Sequence, residues 1–451
     1  MSGRSPPPSP PRPAGWWSPW LAAAALFAGV AYLFYPGALS WDSGYQWYQV
    51  RTGQWDSVHP VIMTALWSLT DRVLPGPGGY FLLQMGTYWS GLAALATGLF
   101  ARPRAQLLTV LGLGLFLPVL ALLPFLWKDI GLLAGLVWTC ALLVREQRRP
   151  RRMLRGAAFA TLVLACAFRH NALPLAVPLL WYLAGREPAL QPWRRRIAAT
   201  AALTLVLAVL AGLPNRWPGV EQRSVWPLVA TWDLARVSVA ERTVLLPPEI
   251  LAEDFGLADL DRHVVAHSAV PMFGSGKIAD SISKSLTAEQ SAALVHAWLT
   301  MLREHLPAYL AHRARVTALL LGLDQAALPN QMILEYGVIQ VGDNPALPVR
   351  NVPSPATWNR LLHPLLDSPV FAFWPYGLVL LVLAVGARAR RPVNPLLLPL
   401  LVSAALLVLP LALVAPSVEF RYLLWAVFAA PLGLALHLSP PAVATEPQPA
   451  P

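Results

Sequence analysis

Residues 393–415 read VNPLLLPLLVSAALLVLPLALVA, twenty-three positions without one charge. As a helix rising 1.5 Å per residue, that stretch reaches about 34 Å, enough to cross the hydrocarbon core of a bilayer. Working outward, similar apolar stretches fall at 16–34, 80–100, 106–126, 128–144, 156–170, 171–184, 197–213, 370–387 and 422–438. The whole 451-residue chain is 56% hydrophobic and only 13% charged, against roughly 25% charged in soluble domains. That composition excludes a soluble enzyme, a disordered chain and a coiled coil. Cys140 and Cys166 both lie in apolar runs, which excludes a disulfide scaffold. The expected fold is an all-α polytopic membrane protein with about ten transmembrane helices.

The net charge of +11 raises a nucleic-acid reading, and its distribution answers it. Segments 1–19, 101–105, 145–155, 185–196, 388–392 and 439–451 hold 17 of the 34 Lys and Arg but 3 of the 23 Asp and Glu. The rest of the chain is therefore net negative. Short basic loops between apolar stretches are what the positive-inside rule requires, so the charge reports topology and no nucleic-acid partner is expected. With those loops in the cytoplasm, 36–79, 126–129, 169–171, 214–369 and 416–421 lie outside. The composition suits a bacterial plasma membrane.

The resulting plan has a Pro/Ser-rich, disordered tail over 1–19 and a transmembrane module over 20–213 with a first outer loop at 36–79. A mostly helical extracytoplasmic domain at 214–369 follows, then a second module at 370–438 and a tail at 439–451. A secretory signal competes for the first apolar stretch, but no small-residue cleavage site follows it. Val58–Leu69 is too short to cross and is expected as an interfacial helix. Residues 303–323 mix a charged and an apolar half and are expected to lie on the outer face, although a crossing at 316–328 would invert everything after it. No internal repeat is visible.

Charges bordering apolar spans are costly and so informative. Four sequence-distant polar clusters adjoin spans on the outer side: Asp42, Arg51, Asp56 and His59; Lys128-Asp129; Arg169-His170-Asn171; and Glu419 with Arg421-Tyr422. The inner loops carry plain Arg runs instead. A site between helices at the outer face is therefore expected.

The first outer loop reads Trp41-Asp42-Ser43-Gly44-Tyr45, then Gly53-Gln54-Trp55, then His59-Pro60. In this order and spacing the chain resembles the GT-C superfamily of membrane glycosyltransferases, in the manner of the dolichyl-phosphate-mannose-dependent protein mannosyltransferases. Pro307–Arg313 and Arg421-Tyr422 share the likeness, which covers 1–213 and 300–438 in outline. Ser43 stands where the family carries a second acid. The resemblance implies inverting transfer of a sugar from a polyprenyl-phosphate donor to a glycan, lipid or protein acceptor. Under it Asp42 is the catalytic base, Lys128 and Arg169 are phosphate ligands, and His59, His170, Tyr45 and Arg421 assist substrate binding. The chemistry agrees: a carboxylate deprotonates the acceptor hydroxyl, and cations neutralise the leaving phosphate. The cofactor is left open. A divalent metal could assist, but Asp42 beside Ser43 offers it few oxygens. A lipid or solute transporter, a flippase and an O-antigen-ligase-like enzyme are the rival classes.

Each of these residues also has a plainer reading. Asp56 is an alternative base to Asp42, but the favoured reading is a cap on a helix opening at Val58, with Ser57 as the competing cap. Lys128-Asp129 is an ion pair between neighbours, and Arg169 snorkels to the interface. Glu419 and Arg421 are interfacial anchors. His263 and His267, at i, i+4 on a helix, have a metal-binding spacing but read as surface histidines. Phe273–Lys277 fails as a phosphate loop and reads as a turn whose Lys277 could touch substrate. Trp16, Trp17, Trp127, Trp181 and Trp374 read as an aromatic belt.

Overall fold

Pro and Gly punctuation turns the apolar runs into helices with sharp ends, beginning with α1 (Ser18–Phe34), α2 (Trp41–Thr52), α3 (Val61–Asp71) and α4 (Pro77–Leu99). The computed structural model describes residues 18–281, 284–325, 341–346, 355–389 and 393–439. The chain continues through α5 (Pro103–Gly114), α6 (Leu117–Leu120), α7 (Lys128–Arg148), α8 (Arg152–Ala167), α9 (Leu173–Ala184) and α10 (Trp193–Gly212). A second group of helices follows: α11 (Trp226–Glu241), α12 (Leu257–His263), α13 (Ala288–Glu304), α14 (Leu306–Leu320) and α15 (Pro355–Leu362). The chain then returns to the bundle as α16 (Trp374–Ala389), α17 (Leu397–Val414) and α18 (Leu424–Leu438). Among the described residues the protein is all-helical, with isolated β-bridges and no strand.

Among the described residues, three helical segments are long and apolar enough to cross a membrane: Trp193–Arg216, Leu397–Val414 and Phe420–Leu438. Pro19–Phe34, Leu173–Ala184 and Trp374–Arg388 are apolar but shorter. α7 is buried nearly all round and forms the centre of the bundle, packed on α4 and α8. Small residues permit that contact: a Cβ at Gly135 would lie 2.7 Å from the Ala165 methyl.

The connecting segments gather at two opposite ends. At one end Arg148 donates to the Leu99 carbonyl (2.6 Å) and Arg186 pairs with Glu146 (2.7 Å). There Gln147 also donates to Asn394 (3.0 Å). At the other end Val61 N donates to Asn215 (2.9 Å), and Ser57 N to the Glu221 carbonyl (3.0 Å).

Several expectations need correction. The 106–126 stretch is not one helix; it breaks after Gly114, where Pro118 and Pro124 follow and cannot continue the backbone hydrogen-bond ladder. Residues 303–323 form parts of two helices that meet at His305, just before Pro307. The helix expected from Val58 opens at Val61, because Pro60 sets its start. His263 ends α12 and His267 lies beyond it, so their helical spacing is lost. The tail at 1–17, with Trp16 and Trp17, and most of the tail at 439–451 fall outside the described residues, as do 326–328.

Candidate functional site

Two short segments bring the first loop onto α7. Ala38 N donates to the Pro124 carbonyl (2.9 Å) and Leu126 N to the Ala38 carbonyl (3.1 Å), an isolated parallel bridge. Gly37 makes the approach with φ +102°, and a Cβ there would sit 2.1 Å from Leu126 Cδ1. Four residues on, α2 starts. Ser43 Oγ accepts the Ser40 N–H (2.8 Å), while Ser40 Oγ accepts the Trp127 indole N–H (2.8 Å). Ser43 thus closes the helix start. Asp42 lies in the first turn of α2, where the helix dipole favours a carboxylate.

Asp42 faces two cations from distant segments and the imidazole of its own loop. Its Oδ2 lies 2.9 Å from Arg421 Nη1 and 3.6 Å from Lys128 Nζ, and its Oδ1 lies 4.0 Å from His59 Nε2. Lys128 Nζ is also 2.8 Å from His59 Nδ1. Burial would raise the Asp42 carboxyl, but Arg421, then Lys128 and His59, outweigh it and hold it far below the usual carboxylate range. Burial, then the Lys128 charge, pushes His59 down to about 3. The imidazole is therefore neutral at physiological pH.

Arg421 is a shared partner. It pairs with Glu419 as well as Asp42, and its guanidinium lies 4.7 Å from the Trp127 ring centroid. Glu419 in turn accepts from Ser417 Oγ (2.9 Å) and Tyr422 OH (3.2 Å). Trp127, expected in an aromatic belt, is instead buried, stacked on Phe125 and capped by Arg421. Lys128 and Asp129 do not pair as neighbours: Lys128 turns to Asp42 and His59, whereas Asp129 pairs with Arg169.

The cluster opens into a cavity of about 440 Å³. Asp42, His59, Lys128, Glu419 and Arg421 line it from the bundle side of the sequence. The segment between α10 and α15 adds Ser224, Val225, Leu228, Val270, Phe273 and Asp280. Arg169 and His170 line a smaller neighbouring cavity of about 210 Å³ instead. Arg169 sits over the Tyr422 ring (4.9 Å), so it backs the main site through Tyr422 and Asp129. Tyr45 stacks on Trp41 at 5.2 Å and donates a hydrogen bond from its hydroxyl to Asp56. Burial, then that bond, raises the phenol to about 12.

Asp56 is a brace. It holds Tyr45, the Val58 N–H (3.0 Å) and Arg223 (3.0 Å), joining the first loop to the segment after α10. Arg223 and Asp280 are residues that sequence reasoning missed. They lie more than 160 positions from Asp56 with no periodic cue. The buried Asp233, paired with Arg313 (2.6 Å), was also missed, though the one charge in the stretch 226–235 is a usable signal. Arg313 further donates to the Ala415 carbonyl (3.0 Å), anchoring the segment that leads to Glu419. Lys277 does not line the cavity; it pairs with Asp254 and Asp259.

Among the described residues no three His, Cys, Asp or Glu gather as a metal-ligand set. The oxygens of Asp42 face three nitrogen donors, so the residues present do not fit a resident divalent cation. No protein family, curated protein or solved structure matches the chain.

Proposed function

We propose that this protein is a GT-C-type membrane glycosyltransferase that moves a sugar from a polyprenyl-phosphate donor to a glycan, lipid or protein acceptor at the outer face. The observation that carries the reading is Asp42 seated between Arg421, Lys128 and His59 at the mouth of a cavity between the bundle and the second group of helices. About ten crossings belong to the same proposal. They are α1, α4, α5 with its extended continuation, α7 to α10, and α16 to α18. Their connections alternating between two ends of the bundle support this count. The basic loops support an orientation with the Asp42 end outside, in a bacterial plasma membrane.

The chemistry follows from charge. Without donor, Asp42 is the counter-ion of Arg421 and Lys128, a weak base. An incoming phosphate competes for those cations, and Arg forks suit its oxygens. As the cations turn to phosphate, the Asp42 carboxylate loses its partners and becomes more basic. It then accepts the proton of the acceptor hydroxyl as that oxygen forms its bond to the anomeric carbon. The bond from anomeric carbon to phosphate oxygen breaks, and the electron pair leaves on the phosphate, facing Arg421 and Lys128. Arg169 steadies the arrangement through Asp129 and Tyr422, and neutral His59 orients Lys128.

The test is cleavage of the donor. Purified protein is given a panel of polyprenyl-phosphate monosaccharides with membrane extract as acceptor, and release of free polyprenyl phosphate is followed. Release that depends on Asp42 supports the proposal. Movement of intact donor across proteoliposomes with no bond cleavage would instead favour a flippase.

A further inference from the structure

The end of the bundle away from Asp42 carries a second built feature. α9 has only 12 residues, about 18 Å of helix, and lies between α10 and α17. Both neighbours are long enough to cross a membrane; α10 is little buried within the protein, and α17 keeps an exposed face through Leu398, Val402 and Leu409. The short helix leaves an open groove of about 620 Å³ between them. Val177, Pro178, Leu398, Val402 and Leu406 line it, with Arg196 at its basic end.

Arg196 is held in place. Its Nε and Nη2 donate to the Trp181 carbonyl (3.0 and 2.9 Å), and the guanidinium lies 4.1 Å from the Trp181 ring centroid. Gly185 leaves the room for this; a Cβ there would stand 2.4 Å from Nη2. Among the described residues no carboxylate pairs with Arg196, and its Nη1 has no hydrogen-bond partner. Nearby Arg186 and Arg155 are paired with Glu146 and Glu187, whereas Arg194 and Arg195 add further positive charge. An apolar groove open to the bilayer and ending at a fixed, uncompensated guanidinium matches an acyl chain joined to an anionic headgroup.

We propose that this groove binds one anionic phospholipid of the leaflet opposite the Asp42 cavity, its acyl chain against α9 and its phosphate on Arg196. The proposal needs the bundle to lie in a membrane but does not need the chain to transfer sugars.

Native mass spectrometry of the detergent-solubilised protein, titrated with phosphatidylglycerol or phosphatidylcholine, tests it. One phosphatidylglycerol should bind in preference to phosphatidylcholine. Arg196→Gln should weaken phosphatidylglycerol at least tenfold and leave phosphatidylcholine unchanged. Leu398→Trp, at an exposed position, should block the groove and lower both without touching the charge. Inorganic phosphate alone should neither bind nor compete. Equal affinity for the two lipids would overturn the proposal, as would competition by free phosphate. An equal loss from Arg194→Gln would also overturn it, because the attraction would then be diffuse.

Discussion

Arg421→Gln removes the nearest cation from Asp42, and the geometry sets the size of the effect. At 2.9 Å and an effective dielectric near 20, the gross attraction is about 6 kcal/mol; for Lys128 at 3.6 Å it is about 5 kcal/mol. Desolvation and the partial exposure of Asp42 cut the net coupling to about 2 kcal/mol. Arg421→Gln alone should cost about 3 kcal/mol, since it also strips Glu419 of its partner. Asp42→Asn, which leaves Arg421 with Glu419, should cost less. The double variant should then be about 2 kcal/mol more stable than the two losses combined. The Asp42–Lys128 cycle should give a smaller coupling than the Asp42–Arg421 cycle. Reversible denaturation in mixed micelles, read by tryptophan fluorescence, measures all four corners. A coupling below about 0.5 kcal/mol would mean the two residues are independent, and a larger value for Lys128 would mean the wrong cation leads.

Other perturbations probe the supports. Gly37→Ala puts a methyl into Leu126 at a positive φ and should destabilise by about 2–3 kcal/mol, lowering the unfolding midpoint of an otherwise intact chain. His59, with its pKa lowered from 6.5 to about 3, stays neutral in the native state while the unfolded chain takes up a proton below pH 6.5. Stability should therefore fall as pH drops through that window, by up to about 1.4 kcal/mol per unit from this group, and His59→Gln should flatten the slope. An unchanged slope would show that His59 is not the group responsible. Asp129→Asn frees Arg169 of its partner and should cost about 3 kcal/mol in the same unfolding assay.

Much of the fold was legible because lipid imposes a simple code. Apolar length and basic loops pointed to an all-helical bundle, and polar segments 36–79, 126–129, 169–171 and 416–421 do meet at one end. The helix interruptions at Pro118 and Pro124 were written in the sequence but masked by the apolar run around them. Asp42, Lys128 and Arg421 were readable as an acid and two cations beside apolar stretches, with His59 near Asp42 in the chain. Their pairing was not, because nothing local distinguishes Lys128 bonding to Asp129 from Lys128 reaching Asp42. Arg169 illustrates the same limit: its place between two apolar stretches was legible, but the Tyr422 ring between it and the main site was not. Arg223 and Asp280 reach the site through the fold of 214–369, whose loops carry no periodicity to read.

The most direct measurement compares Asp42→Asn with the native protein for both donor affinity and turnover of a polyprenyl-phosphate sugar. If the carboxylate is the proton acceptor, turnover should fall at least a hundredfold. Donor affinity should hold or improve, since the competing anion has been removed from Arg421 and Lys128. Full turnover in a correctly inserted Asp42→Asn protein would contradict the account.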